Sequence, residues 1–352
     1  MKALIYHGVK DVRVEEREIP VCGPDDVIVC VVRAGICGSD TTAYLHGGEN
    51  MNIFPGREFG HEMVGYVYEI GKNVTGLRKG DRVFVEPGKA VLDPSEANMA
   101  CAFSQYMKVH HASVGVNIYP LPDSISYEEA VLIEPLSVST HAKNRAAVKP
   151  HEKVLVCGCG PIGLGVIAAL KAQGNERIAV IDRDPYRLEC AKKMGAHPIL
   201  STSSDLEKLE KDLVSYFGVM DNKNHRVNFG TNVEVQEHTV LDVDVVFDCA
   251  GMPDFIDEFL LHAKQYSRLC NVAVHRTPFS IRFHEIMSTQ CAIMGSRGYE
   301  AEDIAEVIDF LEKGKTKAIY MISHCVPLED AADVFQLAVA REETIKVILD
   351  ME

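Results

Sequence analysis

The segment Val154-Leu-Val-Cys-Gly158-Cys-Gly160-Pro161-Ile162-Gly163 constrains this chain more than any other. It sets G-x-G-x-x-G directly after an apolar run of strand character and at the head of an Ala/Leu-rich run of helical character. Gly158 permits a tight turn, Gly160 lets backbone approach a pyrophosphate, and Gly163 lets helix and strand pack closely. The helix N-terminus at Pro161 and Ile162 favours negative charge. A second apolar strand ends at Asp182, 19 residues after Gly163, where a carboxylate accepts hydrogen bonds from an adenosine ribose. The spacing predicts a βαβ unit that binds a dinucleotide. Asp182 repels a 2′-phosphate and favours NAD, while Arg183 and Arg187 stand where they can approach such a phosphate and keep NADP open.

The surrounding pattern extends that unit into a doubly wound parallel sheet. Between His151 and about Gly295, strand-length apolar runs (Val154–Cys157, Ile178–Ile181, Val243–Cys249, Arg268–Val274, Cys291–Met294) alternate with segments suited to helices. Up to about Tyr119 the chain reads instead as short β segments: Val27–Val32, Met63–Ile70, Arg82–Val85 and Phe103–Val109. Ser126 with Glu129 has the form of a capping box before Ala130–Leu136, which predicts a helix that bends at Pro135. Helical spacing returns at Ala301–Lys313 and Pro327–Ala340, followed by a strand at Lys346–Leu349.

At 352 residues the chain is long enough for two domains with separate cores. Its 36 basic and 51 acidic residues leave a net charge of −15, which repels nucleic acid and anionic membranes. Neither is expected as a partner. Eleven cysteines, an odd count without a C-x2-C pair, fit reduced thiols and a cytoplasmic location. The N-terminus lacks the apolar core of a secretion signal, and the uncharged run 154–170 reads as strand, glycine turn and helix rather than a membrane span.

A second constellation gathers metal donors. Cys37-Gly-Ser39-Asp40 ends an apolar strand, and Gly60-His61-Glu62 follows, each in a Gly-flanked loop. Glu134 lies inside an apolar run, where a carboxylate is costly to bury unless it meets a cation or strong donors. Thiolate, imidazole and carboxylate together suit Zn2+ better than Mg2+ or Ca2+. An inert thiol, a core histidine and a salt-bridged acid are the separate alternatives, and their coincidence favours the metal. In a regular strand His61 and Glu62 would point to opposite faces, so one of them is expected to stand behind the other.

These blocks, in this order, resemble the zinc-dependent medium-chain dehydrogenases, most of all the sorbitol, polyol and butanediol dehydrogenase branch. Gly60-His-Glu-Met-Val-Gly65 through Val74 fits that family's zinc signature, Gly80-Asp-Arg-Val83 continues it, and Ile133-Glu-Pro-Leu-Ser-Val138 resembles the polyol branch. The resemblance implies a GroES-like catalytic domain from residues 1–150 and 296–352 and a Rossmann domain from 151–295. It also implies a homodimer or homotetramer. The chain departs from many relatives in holding only Cys101 in the stretch Glu86–Tyr106, so one catalytic zinc and no structural zinc are expected. It departs again in having Thr42 where relatives often place a histidine of the proton path.

The expected reaction is hydride transfer between NAD, or less favourably NADP, and a secondary alcohol of a polyol, sugar alcohol, cyclitol or small diol. Cys37, His61, Glu62 and Glu134 would hold zinc, Ser39 would relay the alcohol proton through Thr42, the ribose or water, and Asp40 would orient His61. Tyr44, His46, Arg57 and Arg297 are candidate lining residues. A zinc-free quinone or enone reductase of the same fold, and a non-catalytic nucleotide-binding protein, are the alternatives.

Overall fold

A computed structural model describes residues 1–201, 206–220, 239–340 and 343–352. Two compact units emerge, Met1–Pro135 with Ala301–Glu352, and Leu136–Glu300.

The first unit is built from β1 (Lys2–Gly8), β2 (Asp11–Glu16), β3 (Val27–Gly35), β4 (Arg57–Glu58), β5 (Glu62–Ile70), β6 (Arg82–Val85), β7 (Tyr106–Val109) and β8 (Ile118–Pro120). The second supplies β9 (Val154–Cys157), β10 (Ile178–Asp182), β11 (His197–Leu200), β12 (Val245–Asp248), β13 (Arg268–Asn271) and β14 (Ala292–Gly295). The chain then returns to the first with β15 (Ile322–Pro327) and β16 (Lys346–Asp350). A three-stranded sheet runs β2-β1-β4, and a seven-stranded sheet runs β15-β16-β3-β5-β6-β8 with β7 paired to β3.

The seven-stranded sheet positions the metal donors. Its strands are mostly antiparallel, but the C-terminal β16 pairs with β3 and brings a segment from the end of the sequence beside Cys37. Beneath it the aromatic rings of Phe59, Phe103 and Phe335 meet at centroid distances of 4.9 to 6.0 Å. Phe103 was expected in a strand, yet β7 begins only at Tyr106. Burial in this aromatic cluster, rather than ladder pairing, explains the apolar character of Phe103.

The predicted cap at Ser126 is present, with Glu129 reaching back to it, but the helix it opens ends at Ala130. A second helix, Ile133–Arg145, follows. Pro135 therefore bends nothing: it lies in the first turn of the second helix, where its missing N–H has no intrahelical acceptor to lose.

Among the described residues of the second unit, six strands run parallel in the order β11-β10-β9-β12-β13-β14. Apolar runs became these strands because both faces are covered, as the burial of every residue in β9 and β12 shows. The run expected to continue to Val274 stops at Asn271, after which Val272 and Ala273 turn to donate to the carbonyl of Asp248. Among the described residues, no helix is long and apolar enough to cross a membrane.

Candidate metal centre and dinucleotide turn

One ligand atom each from Cys37, His61 and Glu62 lie within 4.8 Å of one another. Local structure delivers each donor. Cys37 follows β3 as the N-cap of the helix Gly38–His46, and Asp40 accepts its backbone N–H at 2.8 Å, which fixes the turn that presents the thiol. His61 follows Gly60, whose φ of +93° and whose neighbour Phe103, 2.7 Å from where a Cβ would stand, admit only glycine. Glu62 heads β5 opposite Gly35, and a Cβ on Gly35 would come within 2.2 Å of its Oε2. His61 precedes the strand, so the alternation of side chains has not begun and both reach the same point.

The sequence reading missed Lys346. From the start of β16 its ammonium donates to both oxygens of Glu62 at 2.7 Å and to the Ile36 carbonyl at 3.1 Å. Lysine and glutamate side chains are 2% and 1% exposed, so this is a buried ion pair. Burial works against the lysine charge, but Glu62, then Cys37, outweigh it and hold its pKa above the usual value. The signal existed: Lys346 is a charge set in an apolar run, the argument that singled out Glu134.

Glu134, in the first turn of the helix Ile133–Arg145, is buried, and its charge acts on both His61 and Lys346. Burial opposes the charge of His61, yet Cys37, Asp40 and Glu134 together raise its pKa well above the ordinary imidazole value. Asp40 is wholly buried, which pushes its carboxyl up to about 6 against the pull of His61. Its Oδ1 stands 3.8 Å from His61 Nδ1, an electrostatic contact too long for a hydrogen bond.

Ser39 Oγ, Asp40 Oδ1 and His61 Nδ1 are buried without hydrogen-bond partners. These atoms, beside sulfur, nitrogen and oxygen donors converging on one point, fit a borderline divalent ion. Thr42 donates to the Gly38 carbonyl at 2.7 Å and is partly exposed. Of the proposed lining residues, Tyr44 is instead core, with its ring 5.6 Å from that of Phe335. His46, Arg57 and Arg297 are exposed.

The glycine turn has the geometry its spacing predicts. Gly158 has φ +99°, and a Cβ on Gly163 would lie 1.8 Å from the Gly158 carbonyl. Gly160 caps the helix Pro161–Gln173, with Pro161 in its first turn and the Ile162 carbonyl accepting from Ser139 at 3.0 Å. Asp182 accepts from Cys159 N at 2.6 Å and Asp184 N at 2.9 Å, which fixes its carboxylate beside the turn. Arg183 is exposed, and Arg187 Nε lies 3.4 Å from Asp184.

Residues 23–123 match the alcohol dehydrogenase GroES-like domain, and residues 161–313 match the zinc-binding dehydrogenase domain. The chain is 31% identical to the sorbitol dehydrogenase of Bacillus subtilis (strain 168), over 99% of this chain and 97% of that protein. Its fold superposes on the crystal structure of the 2R,3R-butanediol dehydrogenase of Bacillus subtilis with a TM-score of 0.82, at 26% identity, covering 100% and 99% of the two chains. A structure described as a short chain alcohol dehydrogenase from E. coli CFT073, complexed with NADH, gives a TM-score of 0.80 at 26% identity, covering 100% and 99%.

Proposed function

Because the chain belongs to the zinc-dependent medium-chain dehydrogenases, in their polyol branch, and is an alcohol dehydrogenase that uses zinc and a nicotinamide cofactor, we propose that it oxidises a secondary alcohol of a polyol, sugar alcohol, cyclitol or small diol, with NAD preferred. The observation that carries the reading is the convergence of Cys37, His61 and Glu62 on one point. These residues would hold a single zinc ion, with Glu134 as the further carboxylate candidate. Eleven free cysteines accord with a reducing, cytoplasmic setting.

When bound, zinc supplies Lewis acidity that lowers the pKa of an alcohol oxygen, and the nicotinamide supplies the hydride acceptor. Ser39 Oγ, buried and unpartnered, takes the alcohol proton as it passes its own towards Thr42, the cofactor ribose or water. Asp40 holds the Cys37 backbone and sets a negative charge behind His61 Nδ1, which keeps the ring basic. Lys346 holds Glu62, so this carboxylate can contribute to the zinc shell only while shared with the ammonium. Glu134 stands outside the cluster of three and acts on His61 and Lys346 through its charge, so it is the further carboxylate candidate beside Glu62. The carboxylate of Asp182 supports NAD over NADP through repulsion of a 2′-phosphate.

The test is a panel of polyols and diols with NAD and NADP, read at the NADH absorbance after metal analysis. Turnover with polyols, an NAD preference and about one zinc per chain are expected. A zinc content near two, or turnover unchanged in Cys37→Ala, would overturn the centre described here.

A further inference from the structure

The carboxyl edge of the parallel sheet carries a partly buried histidine on a buried carboxylate, a pair that the reaction above does not use. Strand order reverses at β9, with β10 and β11 to one side and β12 to β14 to the other. A dinucleotide crosses such a switch point, so with its adenosine on the Asp182 side its nicotinamide half lies on the side of β12 and β13. The loops there pack one on the next. A Cβ on Gly158 would lie 3.1 Å from that of Ala250, and one on Gly251, at φ +71°, would lie 3.2 Å from the Val274 carbonyl.

Asp248, the last residue of β12, ties these loops together. It is wholly buried, and its Oδ1 accepts from Ala250 N at 3.0 Å and Gly251 N at 2.9 Å. Its Oδ2 lies 2.7 Å from His275 Nε2, and since a carboxylate only accepts, the histidine is the donor. The ring of His275 rests 4.9 Å from that of Phe279. Its Nδ1 is buried without a partner. The Nε2 contact to Asp248 is thus the one that ties this ring to the loop after β12.

We propose that His275 is a positioning residue for the cofactor: through Asp248 it fixes the loops after β12 and β13 in the shape that receives the nicotinamide half. The effect is confined to that half, because the adenosine side rests on β10 and Asp182. The proposal deepens the nicotinamide reading and depends on dinucleotide binding to this unit.

The zinc-loaded full chain is titrated with NADH, followed by its fluorescence, and with ADP-ribose, which lacks the nicotinamide. His275→Ala should weaken NADH roughly tenfold while ADP-ribose changes by less than about twofold. His275→Gln, whose amide nitrogen can replace Nε2 as donor to Asp248, should recover most of the NADH affinity. Parallel loss of both ligands in His275→Ala would mean general damage and overturn the proposal, as would unchanged NADH binding. If the unsubstituted protein binds neither ligand, the dinucleotide reading itself fails and takes this proposal with it.

Discussion

At the residue scale the site rests on Gly35, Gly60 and Lys346, none of which donates to the metal. Gly35 and Gly60 leave the volume in which Glu62 and His61 meet Cys37, and each Cβ added there would collide with the Glu62 carboxylate or the Phe103 ring. Lys346 neutralises a carboxylate that is otherwise buried beside a thiol and two further acids. Replacing it, in Lys346→Met, strands the Glu62 charge, and the metal-free protein should lose about 3 to 5 kcal/mol of stability. Zinc then offers the stranded carboxylate a cation, so the loss in zinc-saturated protein should be smaller by denaturant titration. An equal loss with and without zinc would show that Glu62 takes no part in holding the ion. The donors were legible because soft and charged groups in Gly-flanked loops are rare by accident. Lys346 is marked in the sequence as a charge in an apolar run, but its pairing with Glu62 was not legible, since the partner lies 284 residues away and only strand pairing at the end of the fold joins them.

At the element scale, the strands that the sequence revealed are those buried on both faces, such as β9 and β12, where continuous apolar runs leave little choice. Ends were less legible. β13 stops at Asn271 because a backbone carbonyl captures the next N–H groups, and no side chain announces that. The opposite edge of the same sheet is pinned by charge: Asp242 accepts from the ammonium groups of Lys153 and Lys264, and Lys264 also reaches Asp244 at 2.5 Å. Burial alone would raise the Asp242 carboxyl, but the two lysines outweigh it and hold it below the ordinary value. A depressed carboxylate stabilises the fold above its unfolded pKa and loses that contribution as pH falls through the folded one. Unfolding should therefore grow easier in wild type as pH drops below about 4, and Asp242→Asn should show a shallower acid limb in denaturant midpoints measured against pH. An unchanged limb would remove Asp242 from the account of acid stability.

At the scale of the whole molecule, the run Cys291–Met294 read from sequence as a strand of the parallel sheet, and among the described residues β14 stands at the edge of that sheet, with Ala292, Ile293 and Gly295 exposed. An apolar strand with open N–H and C=O groups is a template for another strand, and proteins that keep one uncovered usually pair it. Ile293 is 38% exposed, and Met287 and Phe283 nearby in sequence are 51% and 75% exposed, so apolar surface accompanies this edge among the described residues. A second copy related by a two-fold axis would present the same strand antiparallel, satisfy both edges at once and leave no open end, which fits a closed dimer better than a filament. Each chain carries a net charge of −15, so pairing also brings like charges together, and association should strengthen as salt screens them. Sedimentation at rising salt should accordingly show a dimer, or a tetramer built from such dimers, whose population increases with ionic strength. Ile293→Arg would set two cations across the axis and should shift the protein to single chains while leaving its circular dichroism unchanged. A single-chain mass for the unsubstituted protein at every salt and concentration would refute the pairing, and the apolar edge would then need another cover.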